Sequence, residues 1–189
     1  PDFLWGKARD DTWEHLLIDS VRGPTSTLFS NSAGDEHIND AHGYVDSLDS
    51  DGWSVVAGSS SANQWNDTTD TFVAWNWKGG GAPTVDNSAG AGNTPTAGSV
   101  KINGSNLGSA LAGSIPALKL SANTTNGFSV GTYTGDGSNA TLAHGLSQAP
   151  EIVIFKGLNT TNEWATGWGV GGANWTDYLY LNQNAAAVD

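Results

Sequence analysis

Large apolar side chains come in short bursts, separated by small polar turns rich in Gly, Asn and Asp. Bursts at residues 3–7, 52–57, 71–78, 99–102, 128–134 and 152–156 carry the aromatic and β-branched residues that fit a pleated sheet. In residues 71–78 the period of two sets Val73, Trp75 and Trp77 on one face and Phe72, Ala74, Asn76 and Lys78 on the other. The first face is the more apolar, so Trp75 and Trp77 are expected to be buried together. Residues 13–21 have apolar side chains at 13, 16, 17 and 21, a spacing that also suits a helix. Because Ile18-Asp19-Ser20-Val21 alternates as well, a strand is the expected form.

Turns are marked by Asp51-Gly52, Asn103-Gly104, Asn126-Gly127 and Gly135-Asp136-Gly137, which tolerate positive φ in tight connections. Residues 79–98 are mostly Gly, Ala, Asn, Pro and Thr and offer little surface to bury against the entropy of ordering. They predict a linker or extended crossing between a first β module at 1–78 and further strands at 99–189. Residues 107–115 are interrupted by Gly108 and Gly113 and stay unassigned.

The chain also resembles itself. Pro1-Asp2-Phe3-Leu4-Trp5-Gly6-Lys7 matches Pro150-Glu151-Ile152-Val153-Ile154-Phe155-Lys156 at an offset of 149. Trp13 and Trp164 follow the two segments, and Leu28-Phe29-Ser30-Asn31-Ser32-Ala33 aligns with the stretch from Leu179 to Ala185. Matches in the same order predict a repeat of about 150 residues, with one unit and the start of another in this chain. Partial units leave unpaired strand edges, so self-association is expected.

Seven basic and nineteen acidic residues give a formal charge of −12, which repels nucleic acid and anionic membrane surfaces. No apolar run suits a membrane crossing, so neither nucleic acid nor membrane insertion is expected. With no cysteine and no methionine, thiolate zinc sites, thiol catalysis and sulfur ligation of haem or iron-sulfur clusters are excluded. Nine tryptophans among few charges favour an all-β fold with little helix.

Candidate chemistry is sparse. Asp46-Ser47-Leu48-Asp49-Ser50-Asp51-Gly52 gathers carboxylates as calcium loops do, but lacks their spacing and closing Glu, and reads as a hairpin turn. His37 and His42 beside Glu36 and Asp40 match no metal-binding spacing, and His144 suits a structural hydrogen bond. No Glu-x-Asp-x-x-Glu strand, nucleophile elbow or phosphate loop occurs, so no catalytic residue, metal or cofactor is expected. The candidate ligand-binding residues are Trp168, Trp175, Tyr178, Tyr180 and Asn174, where flat rings adjoin groups able to bond sugar hydroxyls. With Leu179 and Leu181 turned inward, Tyr178 and Tyr180 would point outward; Trp168 and Trp175 are expected in loops.

Asp19-Ser20-Val21-Arg22-Gly23, Ser50-Asp51-Gly52-Trp53, Phe72-Val73-Ala74-Trp75-Asn76-Trp77-Lys78, Ala122-Asn123-Thr124-Thr125-Asn126-Gly127-Phe128-Ser129-Val130, Thr132-Tyr133-Thr134-Gly135 and Ala143-His144-Gly145-Leu146 with Pro150 resemble repeat modules of marine bacteriophage tail-fibre and virion structural proteins. The resemblance covers nearly the whole chain. It implies jelly-roll or lectin-like β-sandwich modules in tandem, without catalytic residues to carry over. The implied role is a structural or adhesive virion component, homo-oligomeric and as a fibre trimeric, contacting other virion proteins and host-surface glycan. The alternatives are a secreted carbohydrate-active enzyme or binding module, and a capsid decoration without ligand.

Overall fold

A computed structural model describes residues 1–59, 63–89, 93–169 and 175–187. These residues form fourteen strands and no helix, an all-β, sandwich-like architecture. The largest sheet comprises β1 (Phe3–Ala8), β2 (Leu16–Asp19), β3 (Gly23–Phe29), β4 (His37–Ile38) and β7 (Phe72–Trp77). Its order is β4-β3-β2-β1-β7, antiparallel throughout. A separate hairpin of β5 (Tyr44–Leu48) and β6 (Trp53–Val56) lies across one face. Val45, Leu48, Trp53 and Val55 of the hairpin pack with Leu4, Leu16, Ile18 and Phe29 of the sheet, and Trp65 completes the core.

Trp65 is admitted by the missing side chain at Gly6. A Cβ there would stand 2.6 Å from the indole, well inside van der Waals contact. The expectation of a strand within 13–21 holds for β2, whose unbroken apolar run has a simple cause. β2 is central and covered on both faces: Leu16 and Ile18 enter the core under the hairpin, while Leu17 joins Leu28 and Trp164 on the other side.

The joint burial expected of Trp75 and Trp77 is overturned: they are 48% and 37% exposed. Leu4, Gly6 and Ala8 of β1 face the core, and their cross-strand partners are Asn76, Ala74 and Phe72. Val73, Trp75 and Trp77 therefore share the outer face with Phe3, Trp5 and Lys7. Along it Trp5 meets Trp75 edge-on at 6.0 Å, and Phe3, Trp77 and Phe128 form a triangle of rings 5.3–6.2 Å apart.

The next sheet, β11 (Phe128–Thr132), β10 (Lys119–Asn123), β8 (Val100–Ile102) and β9 (Ser105–Asn106), runs in that order with β10 parallel to β8. Val100, Ala117 and Leu120 form its core. Asn103 and Gly104 turn at φ 52° and 88° between β8 and β9, as the Asn-Gly pair requires. The crossing at 79–98 carries no strand among its described residues, yet it is tied down. Asn87 N–H donates to the Leu118 carbonyl at 2.8 Å, and Gly80 N–H donates to Ser121 Oγ at 2.9 Å. Gly80 lies so close to the Lys101 and Ala122 carbonyls that a Cβ would clash with both.

β12 (Ile152–Phe155), β13 (Ala165–Trp168) and β14 (Tyr178–Tyr180) form an antiparallel meander. It repeats β1, β2 and β3. The register from Phe3 opposite Asp19 to Gly6 opposite Leu16 recurs 149 residues later, from Ile152 opposite Trp168 to Phe155 opposite Ala165. For the third strand the offset is 151, matching Leu28 and Phe29 to Leu179 and Tyr180. The hydrogen bonds recur too. Ser20 N–H donates to the Asp2 carbonyl and Gly169 N–H to that of Glu151, both at 2.9 Å. Lys7 Nζ reaches the Ala8 and Asp11 carbonyls as Lys156 Nζ reaches those of Gly157 and Thr160. His15 N–H donates to Asn31 Oδ1 at 2.8 Å and Trp164 N–H to Asn182 Oδ1 at 3.1 Å. The structural counterpart of Trp164 is thus His15, which corrects the pairing with Trp13.

Candidate functional site

The repeat defines what the two faces of β12–β14 are. In the first unit, Leu4, Gly6, Leu16, Ile18 and Phe29 make the core face. Their counterparts are Val153, Phe155, Ala165, Gly167 and Tyr180. Four of these, Val153, Phe155, Ala165 and Gly167, line a cleft of about 300 Å³ with Trp175, Asp177 and Tyr178. The cleft thus lies on the face of β12–β14 that corresponds to the core face of the first repeat.

The sequence-derived site residues divide between two faces. Trp175 sits at φ 48° and is 46% exposed. Its ring lies over β13, so close that a Cβ at Gly169 would meet it at 2.3 Å. Tyr178 and Tyr180 pair opposite Gly167 and Ala165 on that same face, with their rings edge-on at 5.4 Å. The expected orientation of this strand is corrected. Tyr178 and Tyr180 occupy the core-side face, and Leu179 lies on the outer face where Leu28 packs in the first unit. Trp168 is also corrected, from loop to strand: it ends β13 opposite Ile152, half-buried and on the side away from Trp175. Asn174 lies outside the described residues.

Elsewhere the polar candidates are structural. Asp46 to Gly52 spans the end of β5 and its turn into β6, closed by Asp49 N–H donating to the Gly52 carbonyl at 2.9 Å. One carboxylate, Asp40, bonds both His37 Nδ1 at 2.6 Å and His42 Nδ1 at 3.0 Å. Burial pushes the Asp40 carboxyl up, but the bonds from the His42 N–H and both rings outweigh it and hold it below the ordinary value. His144 Nδ1 accepts the Leu146 N–H at 3.1 Å. Among the described residues no three His, Asp or Glu side chains converge as metal ligands would.

A family model matches residues 1–189: the domain of unknown function DUF7483. The chain belongs to that family. No curated protein and no solved structure matches it.

Two features of this DUF7483 domain escape a linear reading. The outer aromatic row, Phe3, Trp5, Trp75, Trp77 and Phe128, is assembled from β1, β7 and β11. Only the alternation within each strand hinted at it. The second feature is the contact between repeats. Trp164 is buried against Leu17 and Leu28 with Phe3, Trp5 and Leu158 around it, and Glu36 N–H donates to the Leu158 carbonyl at 2.9 Å. Behind that contact Arg22, itself buried, bonds Asp19 at 2.5 Å and Glu36 at 3.0 Å. The DUF7483 repeats are joined by packed surface as well as by chain.

Proposed function

We propose that this chain is a structural, non-catalytic component of a virion-surface projection of the tail-fibre type, assembled from tandem β repeats. The observation that carries the reading is the recurrence of one strand register and hydrogen-bond frame in both repeats, with the second seated on the first through Trp164. Stacked units that each contact their neighbour are a means of building length and stiffness. The placing of acids favours this reading over an enzyme. A glycosidase needs two carboxylates converging on the scissile bond, and the cleft's described lining has a single one, Asp177, which is exposed.

Host contact, in this reading, is with a neutral or cationic glycan on the exposed rings of Trp75 and Trp77, since the charge of −12 disfavours anionic polymers. The projection is a homo-oligomer, with three-fold fibres the expected stoichiometry. Immunogold labelling of intact phage particles with antibodies against this chain tests the proposal. Label along the fibres is expected. Label on the capsid alone, or reducing sugar released from a glycan panel and abolished by an acid-to-amide change, refutes it.

A further inference from the structure

The sequence carries two Asn-Gly pairs, and both lie exposed in hairpin turns: Asn103-Gly104 between β8 and β9, and Asn126-Gly127 between β10 and β11. Their hydrogen bonding differs sharply. We infer that Asn126-Gly127 is a site of spontaneous covalent modification, deamidation of the asparagine through a cyclic imide, and that the fold protects Asn103-Gly104 from the same reaction. The inference goes beyond the proposed function and does not depend on it.

At Asn103 the groups that the reaction needs are all engaged. Its Oδ1 accepts the Thr124 N–H at 2.9 Å, and its Nδ2 donates to Thr124 Oγ1 at 2.8 Å. The Gly104 nitrogen, which would be the nucleophile, donates its N–H to the Gly80 carbonyl at 3.0 Å, and the Asn103 N–H donates to the Ala122 carbonyl at 2.9 Å. Closing a ring here means opening several bonds first.

At Asn126 the side chain is held by one long bond, from Nδ2 to the Lys78 carbonyl at 3.3 Å, and its backbone N–H donates to Asn123 Oδ1 at 3.0 Å. Neither Asn126 Oδ1 nor the Gly127 N–H has a hydrogen-bond partner among the described residues. Gly127 sits at φ 66°, with no heavy atom within 4 Å of the place a Cβ would take. With no side chain of its own, it leaves its nitrogen open to the asparagine.

The Gly127 nitrogen forms a bond to Cγ of Asn126 and gives up its proton, while the Cγ–Nδ2 bond breaks and Nδ2 leaves with that proton as ammonia. Water then opens the five-membered imide at either carbonyl, which yields aspartate or isoaspartate. The net change is one water consumed and one ammonia released. The carboxylate formed has no N–H to donate, so the tie to the Lys78 carbonyl is lost. That tie anchors the turn beside Phe128, whose ring packs with Phe3 and Trp77.

The test needs only the full chain. Folded protein is aged in mildly alkaline buffer beside a sample kept unfolded in concentrated urea, and both sites are followed by peptide mapping with mass spectrometry. Asn126→Asp, one of the two products, supplies the chromatographic marker. In urea the two sites should convert at similar rates, since each is an Asn-Gly pair. In the folded chain Asn126 should outpace Asn103 by about three- to tenfold for each bond that has to open, the ordinary worth of one hydrogen bond. Equal rates at the two sites in the folded chain, faster conversion at Asn103, or no conversion at Asn126 while the urea sample converts overturns the inference.

Discussion

The indole N–H of Trp164 is shared between two carbonyls of the preceding repeat, Phe29 at 2.9 Å and Ser32 at 3.0 Å. One buried ring thus supplies both apolar contact and the polar fastening between units. Trp164→Ala should weaken the seating of β12–β14 by about 3–5 kcal/mol, the usual cost of emptying an aromatic site. Hydrogen exchange should then accelerate in residues 150–169 and 175–187 while β1–β3 keep their protection. Equal protection in the variant would show that the ring is dispensable.

Gly6 is an equally specific contact. Gly6→Val should cost about 1–3 kcal/mol by overpacking against Trp65, and adding Trp65→Leu should recover part of the loss. Gly52→Ala, at a position with open space around it, serves as the control and should melt close to the parent. A thermal scan of the three variants decides the matter.

Asp19 accepts the N–H groups of Val21 and Arg22 at 3.0 and 2.8 Å and also holds the Arg22 guanidinium. Asp19→Ala leaves a buried cation with Glu36 as its remaining carboxylate. Losing one partner of a buried pair typically costs about 3–5 kcal/mol. Urea unfolding should show a lower midpoint, and a variant as stable as the parent would mean that water replaces the carboxylate.

Acid should loosen the loop that holds His37 and His42. Asp40 is held below its ordinary value of 3.8, so its contribution to stability is complete above that value and disappears as pH falls through the lower folded-state value. The stability gap between the parent and Asp40→Asn should therefore narrow on acidification through this range. A gap independent of pH would contradict the assignment.

The two aromatic surfaces predict opposite outcomes in a glycan array. Trp75→Ala should weaken binding by about 1–3 kcal/mol, as loss of one stacked ring does, without unfolding the chain. Trp175→Ala, on the core-side face, should leave glycan binding unchanged. If Trp175 carries the loss and Trp75 none, host contact belongs to the cleft.

The strands legible in the sequence were those built from large residues: β6, β7, β8, β11 and β12 lie within the predicted bursts, and β1 overruns its burst by one residue, Ala8. β3 and β10 escaped because each combines its few buried apolar residues, Leu28 and Phe29 in β3 and Leu120 and Ala122 in β10, with buried small polar ones. Ser26 and Thr27 in β3 and Ser121 in β10 are buried, and such residues carry no apolar signal in the sequence. The repeat was legible from the lysine and the acid before the apolar triplet, and its hydrogen bonds explain why both lysines matter. Orientation was not legible. Which face of β7 enters the core depends on β1, some seventy residues away in sequence, and local alternation assigns two faces without naming the inner one.

The Trp164 contact is also directional. The second repeat contributes the ring and the first contributes the carbonyls, so the surfaces that meet are different from one another. Contacts of this kind propagate head to tail and do not close on themselves as a two-fold pair would. A string of such units has polarity, like an arrow: the ring positions, His15 in the first repeat and Trp164 in the second, face one way, and the seats, such as Leu17 and Leu28, face the other. Like faces cannot join, so every unit added to such a string points the same way.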